Sequence, residues 1–236
     1  MTRESGAPVR ADEIERFLAR FRRFGAAPSV TSYLALFDPE ATLLDSGMPH
    51  PIRVPEIPEH IEGILKLVPD FEMTPERWRF REPTIFVEAH NRATLGRDPA
   101  GWPSVYCIDL RADRVIRGRR YYDRHPLFAR LSPEIAAEPT FVGGTPLAID
   151  GCVADAEVLA SQSAARATER VQDFGIDGLT IELATWAGDE TLAFLEWIAT
   201  GERNGRPLHF GIADRYDLAA GRVTASHAYF DSLALG

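Results

Sequence analysis

The fold is decided by a segment that the chain carries twice. Residues 78–123 read WRFREPTIFVEAHNRATLGRDPAGWPSVYCIDLRADRVIRGRRYYD, and residues 186–231 read WAGDETLAFLEWIATGERNGRPLHFGIADRYDLAAGRVTASHAYFD. Position 78 aligns with 186 and position 123 with 231, without a gap, and 12 of the 46 positions are identical. Ordinary residue usage gives about three identities. Two repeats of this length predict a duplicated globular domain, since a solenoid needs shorter and more numerous units.

The repeated segment has the texture of β-strands in both copies. The first copy predicts strands over 84–95, 103–110 and 114–122,. In the second copy Asn204-Gly205, a strong hairpin signal, joins strands over 191–200 and 208–218, and a third strand covers 222–230,. Ahead of the first copy, apolar spacing predicts helices over 12–24, from 29 and over 60–68, with a short strand over 41–45,. Helices followed by antiparallel strands predict an α+β domain.

The repeat sets the domain organisation that we expect. We predict a first domain over residues 10–131, a Pro- and Gly-bearing linker over 132–150 and a second domain over 151–236. The second domain keeps one predicted helix, about 154–174, but lacks the N-terminal helix pair of the first. A chain of 236 residues is long enough for two such domains, each with its own core,.

Composition excludes several classes of partner. The net charge of −9 argues against nucleic acid and anionic membranes, because no basic stripe is present to release counterions,. No apolar run approaches the roughly 20 residues of a membrane span, and the first ten residues lack the apolar core of a signal peptide. The cysteines, Cys107 and Cys152, have no metal or redox spacing, so a cytoplasmic location is expected,. The histidines share no ligand spacing, and no metal site is predicted.

The pattern resembles the nuclear transport factor 2-like superfamily and, within it, the SnoaL-like group of polyketide cyclases. The residues that carry the resemblance are 201–207, 221–223 and 228–231 in the second copy, and 69–71, 114–115 and 121–123 in the first. The resemblance implies a bent antiparallel sheet whose concave face, closed by helices, forms a cone-shaped pocket. It also implies that the two copies pack as an intrachain pseudo-dimer, and it leaves further association into a homodimer open.

The last strand is also similar to that of limonene-type epoxide hydrolases. That family places an Arg and two Asp residues at positions that correspond here to Ala89, Asn91 and Arg120 in the first copy. The second copy has Trp197, Ala199 and Ala228 at the same positions. Neither copy has the triad, so hydrolysis of an epoxide by that mechanism is disfavoured.

Strand alternation assigns a face to each residue once one position is fixed. In the first copy the predicted inward residues are Ala89, Asn91, Ser104, Tyr106, Ile108, Gly118, Arg120 and Tyr122, with Leu44 and Ser46 nearby. In the second copy they are Trp197, Ala199, Ile212, Asp214, Tyr216, Ser226, Ala228 and Phe230. Glu88 and Glu196 fall on the other face and are interpreted as structural, as are the pairs Tyr121/Tyr229 and Asp123/Asp231.

The first predicted pocket offers hydrogen-bond donors for an oxygen that gains negative charge. Asn91, Tyr106, Arg120 and Tyr122 are candidates to bind a carbonyl or enolate oxygen, with Ser46 close by,. Asp45, at the pocket entrance, is the nearest candidate base. The alternatives are His50, His60 and His90, of which His90 is predicted on the wrong face.

The second predicted pocket places a carboxylate beside a phenol. Asp214 and Tyr216 share one strand face, with Trp197, Ser226 and Phe230 as substrate-binding residues. Proton abstraction next to a carbonyl needs such a pair, a base whose pKa is raised by apolar walls and a donor for the oxyanion. The structural alternative is a solvated carboxylate or one paired with Arg203 or Arg206.

Together these patterns predict cofactor-free acid–base chemistry on a hydrophobic, oxygenated small molecule, of the cyclase, isomerase or hydratase type. The alternative is a non-catalytic module that binds a small molecule or a protein partner, since neither pocket shows a paired acid and base.

Overall fold

The computed structural model describes residues 8–136, 158–159 and 175–235, and the chain divides into two compact units, residues 1–120 and 121–236. Most of the predicted linker over 132–150 and of the predicted helix over 154–174 lies outside the described residues. No helix in the described ranges is long and apolar enough to cross a membrane.

The first unit is a mixed sheet preceded and interrupted by helices. Its elements are α1 (Ala11–Ala26), α2 (Val30–Leu34), β1 (Phe37–Leu44), β2 (Ile52–Arg53), a 3-10 turn (Val54–Glu56), α3 (Ile57–Leu67), β3 (Glu72–Arg81), β4 (Thr84–Leu95), β5 (Asp98–Arg111) and β6 (Arg114–Tyr121). The strand order is β2-β1-β6-β5-β4-β3. β1 runs parallel to β6, while β1–β2, β3–β4 and β4–β5 pair antiparallel.

Helix α1 covers one face of this sheet with an aromatic stripe. Phe17, Phe21 and Phe24 recur at the helical spacing and are buried,. The Phe21 ring meets the ring of Tyr106 in β5 edge-on, with 4.9 Å between the centroids,. The apolar periodicity of α1 is therefore satisfied by the sheet, and Tyr106 is on the covered face.

The second unit is built on four antiparallel strands. After α4 (His125–Phe128) and α5 (Pro133–Ala136) come β7 (Asp177–Gly188), β8 (Leu192–Arg203), β9 (Arg206–Ala219), β10 (Arg222–Tyr229) and a 3-10 turn (Ser232–Leu235). The order in the sheet is β10-β9-β8-β7. One face carries a buried core that includes Trp197, Phe210, Tyr216 and Phe230, and Leu159 packs into it.

The structure confirms the tandem α+β organisation. The bounds of β4, β5 and β6 recur 108 positions later as those of β8, β9 and β10. The pairing of Thr84 with Asp109 recurs as that of Leu192 with Asp217. The last hairpin of each unit turns through an alanine with positive φ, 53° at Ala112 and 51° at Ala220. The repeat is therefore one of backbone conformation as well as sequence.

Three strands begin earlier than predicted, in each case across a proline. β9 begins at Arg206 rather than at 208, so that it includes Pro207. β5 begins at Asp98 rather than at 103, so the turn is restricted to Gly96 and Arg97. Pro99 is tolerated because β6 has eight residues against fourteen in β5 and cannot pair along all of it,. β1 begins at Phe37 and runs through Pro39, where its pairing with β6 shifts register,.

Candidate functional site

A buried guanidinium is the centre of the candidate site in the first unit. Arg120 lies in β6, and only 11% of its side chain is exposed. Its Nη2 donates a hydrogen bond of 2.9 Å to Asn91 Oδ1, and its Nη1 lies 3.6 Å from Asp45 Oδ2. Predicted site residues from the end of β1, from β4 and from β6 therefore meet around one cation.

Asn91 is held so that its oxygen points at the cation. It is fully buried in β4, and its amide nitrogen donates to Ser104 Oγ at 2.9 Å and to the Trp102 carbonyl at 3.0 Å. Since both amide hydrogens have acceptors in β5, the carbonyl oxygen is left to accept from Arg120. The orientation of Asn91 is therefore fixed by its neighbours.

Aromatic rings flank the same guanidinium. Its central carbon lies 5.1 Å from the centroid of the Tyr106 ring and 5.8 Å from that of the Phe71 ring. At these distances the ring faces attract the cation and restrict its movement. The Arg120 side chain is thus positioned by both hydrogen bonds and ring contacts.

Asp45 joins this cation to a histidine. β1 ends at Leu44, and Asp45 enters a turn in which its Oδ1 accepts from the Ser46 backbone nitrogen at 2.9 Å. His60 Nε2, in α3, lies 3.6 Å from Asp45 Oδ2, and 24% of the His60 side chain is exposed. Among the described residues this buried nitrogen has no hydrogen-bond partner. The carboxylate therefore lies between an imidazole and a guanidinium.

The charges around Asp45 set its protonation. Burial opposes ionisation, but the Arg120 guanidinium and then His60 outweigh it and hold the pKa of Asp45 below its ordinary value of 3.8,. Asp45 is thus a carboxylate at neutral pH. Such a carboxylate is a weak proton acceptor and a good partner for a protonated imidazole.

A small cavity of about 20 Å³ lies between the helices and the sheet. Its polar lining comes from Tyr33, Tyr106 and Arg120, and Phe21, Leu36, Phe37, Leu43, Ile108, Val115, Gly118 and Arg119 complete the wall. Leu43, which pairs with Gly118 of β6, lines the cavity, and Leu44, which we predicted to lie nearby, is its neighbour in β1 and pairs with Arg119. A volume of this size holds about one water molecule or one small functional group.

Tyr33 was not predicted as a site residue. Burial raises its pKa well above the ordinary value, and the charge of Asp45 adds to the rise. Burial also raises the pKa of Tyr106, against the opposing effect of Arg120. In the sequence Tyr33 is one of several apolar-spaced residues of a short helix, and nothing in that pattern distinguishes it from a core tyrosine.

The remaining residues predicted for the first site are placed differently. Ser46 Oγ donates to the Arg120 carbonyl at 3.3 Å, so it ties the turn after β1 to β6. Tyr122 follows β6, is half-buried and belongs to the second unit. His50 is exposed, and His90 is half-buried on β4 next to Asn91, so it projects to the opposite face,.

In the second unit the predicted carboxylate and phenol are in contact. Asp214 Oδ2 accepts from Tyr216 Oη at 3.1 Å and from Trp197 Nε1 at 3.0 Å. Asp214 is 1% exposed, and both donors are fully buried, so the carboxylate is not solvated. Ser226 in β10 is buried and pairs with Tyr216, and Phe230 packs in the same core. All five predicted residues of this copy are thus buried.

Side-chain hydrogen bonds are made by residues that we interpreted as structural, among them Glu88, Glu196, Tyr121 and Asp231. Glu88 accepts from Arg77 at 2.7 Å in the first unit. Within the second unit, Glu196 accepts from Tyr121 at 2.5 Å, and Asp231 accepts from Arg124 at 2.7 Å.

The described ranges contain no group of three His, Cys, Asp or Glu side chains placed to hold a metal ion. What the first site does offer is a carboxylate–imidazole pair beside a cation, two phenols and an oriented amide. This set can accept a proton at one end and donate hydrogen bonds to an oxygen at the other.

No protein-family model and no curated protein sequence matches the chain. Among solved structures, it is similar to a protein from Catenulispora acidiphila with a ketosteroid isomerase-like fold in complex with trimethylamine, at 12% identity over 52% of this chain and 97% of the other, with a TM-score of 0.47. It is also similar to a putative polyketide cyclase from Streptomyces antibioticus, at 13% identity over 50% of this chain and 96% of the other, with a TM-score of 0.44.

A putative SnoaL-like polyketide cyclase from Jannaschia sp. CCS1 is similar at 14% identity over 58% of this chain and 99% of the other, with a TM-score of 0.45. The similar structures also include nuclear transport factor 2-like proteins from Burkholderia pseudomallei and Anabaena variabilis, each of which spans about half of this chain.

Proposed function

We propose that the first unit carries an acid–base active site for a hydrophobic, oxygenated small molecule, with cyclisation, isomerisation or hydration as the reaction class. The observation that supports this proposal is the pair formed by the buried Asp45 carboxylate and the half-buried His60 imidazole, which lies beside the oriented guanidinium of Arg120.

His60 is the proton acceptor in this proposal, and Asp45 is its partner. An imidazole ring has two nitrogens, and histidine is the side chain that most often acts as a general base. The Asp45 carboxyl, whose pKa is lowered, accepts a proton less readily. It stabilises the imidazolium that forms when His60 is protonated. Asp45, the nearest candidate base in the sequence, and His60, one of the three alternatives, thus act together in this proposal.

Arg120, Asn91 and Tyr106 form the other half of the site. When His60 takes a proton from the carbon next to a carbonyl, the C–H electron pair forms the C=C bond of an enolate and the carbonyl π pair moves to oxygen. Arg120 and the Tyr106 phenol stabilise that oxygen, while Asn91 holds the guanidinium in place,. Return of the proton to another carbon completes an isomerisation. Attack of the enolate carbon on a second carbonyl forms a C–C bond and moves the π pair of that carbonyl to its oxygen, which takes the proton from His60 to complete a cyclisation.

Asp214 in the second unit is the second candidate base, because it is buried beside a phenol as the sequence predicts. Two donors, Trp197 and Tyr216, bind the same oxygen of this carboxylate. Both donors are fully buried core side chains, so this carboxylate is already engaged within the core. For this reason we place the proton transfer in the first unit.

A non-catalytic binding role is favoured by one observation. Arg120, Asn91 and Ser104 form a chain of hydrogen bonds, and the cavity between helices and sheet measures only about 20 Å³. A module that only binds a ligand needs nothing beyond such an ordered polar end in an apolar pocket.

The test is exchange of α-protons for deuterium in D₂O, followed by NMR on a panel of bicyclic aromatic ketones such as tetralones. This assay detects proton abstraction even though the natural substrate is not known. We expect the wild-type chain to catalyse exchange and His60→Gln to reduce the rate by about a hundredfold or more. His50→Gln, at an exposed histidine of the same unit, is the matched control and keeps the wild-type rate.

If Asp214→Asn lost the exchange activity while His60→Gln kept the wild-type rate, the active site would be assigned to the second unit. Binding of the ketones without exchange in any variant would establish the non-catalytic role.

A further inference from the structure

We propose that Tyr33 is a further catalytic residue of this site, whose phenol donates a hydrogen bond to the substrate oxygen that becomes negatively charged. The inference rests on the proposed function and adds a donor from the helical side of the cavity to those that the sheet supplies.

The position of Tyr33 is fixed by its helix and by two rings. The helix α2 is capped by Ser29, whose hydroxyl accepts from the Ser32 backbone nitrogen at 3.1 Å,. The Tyr33 ring lies 4.7 Å from the Phe24 ring and 5.0 Å from the Phe37 ring, centroid to centroid. The phenol therefore has little freedom to leave the cavity.

The cavity brings Tyr33 together with the cation. Tyr33, Tyr106 and Arg120 provide its polar lining, and the rest of its wall is mainly apolar. A space of about 20 Å³ admits one small group, such as a carbonyl oxygen, but not the body of a hydrophobic molecule,. An oxygen that enters this space is surrounded by a lining that includes Tyr33, Tyr106 and Arg120.

The charge distribution suits Tyr33 to donate a hydrogen bond rather than a proton. Burial disfavours the phenolate, and the nearby Asp45 carboxylate disfavours it further,. The phenol therefore stays protonated while the enolate forms, and it stabilises the oxygen without transferring its proton. The proton taken from carbon remains on His60 until it returns to the product.

The test uses 4-nitrophenol as an analogue of the enolate oxygen and 4-nitroanisole as the matched probe that cannot ionise. Absorbance of the bound nitrophenol reports its ionised fraction as a function of pH. We expect wild type to favour bound nitrophenolate, and Tyr33→Phe to weaken its binding by about tenfold or more, since a hydrogen bond to a charged oxygen is lost. Binding of 4-nitroanisole stays within about twofold, because the ring and its contacts are kept.

Two further variants separate the outcomes. Tyr229→Phe, a buried tyrosine of the second unit, is the control for loss of a phenol and leaves nitrophenolate binding unchanged. Arg120→Met tests the proposed site itself. Weaker binding in Arg120→Met but not in Tyr33→Phe would overturn the role of Tyr33 and leave the proposed function standing. If nitrophenolate binding were unchanged in both Arg120→Met and Tyr33→Phe, or if the wild-type chain did not bind it, the assignment of the site itself would be wrong. Circular dichroism melts of each variant show that the fold is kept.

Discussion

The hydrogen bond from Arg120 Nη2 to Asn91 Oδ1, 2.9 Å long, crosses over a strand. Arg120 is in β6 and Asn91 in β4, and β5 lies between them in the sheet. Asn91 also donates to two groups of β5, the Ser104 hydroxyl and the Trp102 carbonyl. One amide thus ties three adjacent strands together on the face that carries the candidate site, and it links the stability of the sheet to the position of the cation.

Removal of this amide should destabilise the first unit. In Asn91→Ala the buried Arg120 loses an acceptor and Ser104 loses its donor, so we expect a loss of about 2–4 kcal/mol in the free energy of unfolding. Urea denaturation followed by tryptophan fluorescence measures it. Thr224→Ala, at an exposed strand position, is the control and should stay within about 0.5 kcal/mol of wild type,. An equally small effect in Asn91→Ala would show that the bridge contributes nothing to stability.

Stability should depend on pH through Asp45. Its folded-state pKa is lowered, by Arg120 and His60 against the effect of burial, so its contribution is present above the unfolded-state pKa near 4 and is lost as pH falls below it,. We expect Asp45→Asn to lose less stability than wild type between pH 5 and pH 3, as measured by urea denaturation at each pH. The quantity to compare is the change in the free energy of unfolding between pH 5 and pH 3, not its value at neutral pH.

Asp231 is the control with the opposite sign. Burial raises its pKa, against the effect of Arg124, so its contribution is present at low pH and is lost as pH rises through the folded-state value,. Asp231→Asn should therefore make the acid-induced loss of stability steeper than in wild type. Equal slopes in wild type and Asp45→Asn would contradict the assignment of Asp45.

Asp214 should behave as a buried acceptor. In Asp214→Ala the Trp197 and Tyr216 donors both lose their acceptor in the core, and we expect a cost of about 3–5 kcal/mol,. Asp214→Asn keeps an acceptor oxygen and should cost less than half as much. Thermal and urea unfolding compare the two. A variant Asp214→Ala as stable as wild type would mean that the core accommodates the donors in another way.

The sequence predicted the parts of this fold that repeat and the parts that alternate. β4, β5 and β6 were placed because two copies of one pattern mark the same turns, and strand alternation put Asn91, Ser104 and Arg120 on one face. β3 and β7 were not delimited. β3 is half-exposed, and β7 is mostly exposed, so neither has a clear apolar period,.

The strand positions were the most predictable part of the candidate site, whereas His60 was one of several alternative bases and Tyr33 was not predicted. His60 and Tyr33 lie on α3 and α2, and their distance from Arg120 depends on how these helices pack on the sheet, which no local pattern encodes. The residues of β1 that line the cavity were not predicted one by one, because the register of β1 against β6 shifts between Phe37 and Thr42 and alternation holds only within an uninterrupted strand,.

The packing of α1 on the sheet should depend on a single glycine. A Cβ added at Gly25, near the end of α1, would lie 2.1 Å from the carbonyl oxygen of Met73 in β3. Since this contact is with backbone, Gly25→Ala must displace the helix or the strand, and we expect a loss of about 2–3 kcal/mol in the free energy of unfolding. The displacement would also shift Phe21 against Tyr106, so binding at the candidate site should weaken.

Gly63 is the matched control, because it is also a helical glycine. A Cβ there, in α3, would have nothing within 4 Å. Gly63→Ala should therefore stabilise the chain by about 0.5–1 kcal/mol, through the lower conformational entropy of the unfolded state. The opposite signs of the two variants separate close packing from helix propensity, since propensity alone favours alanine at both positions. If Gly25→Ala were as stable as Gly63→Ala, the close approach of α1 to β3 would not be required by the fold.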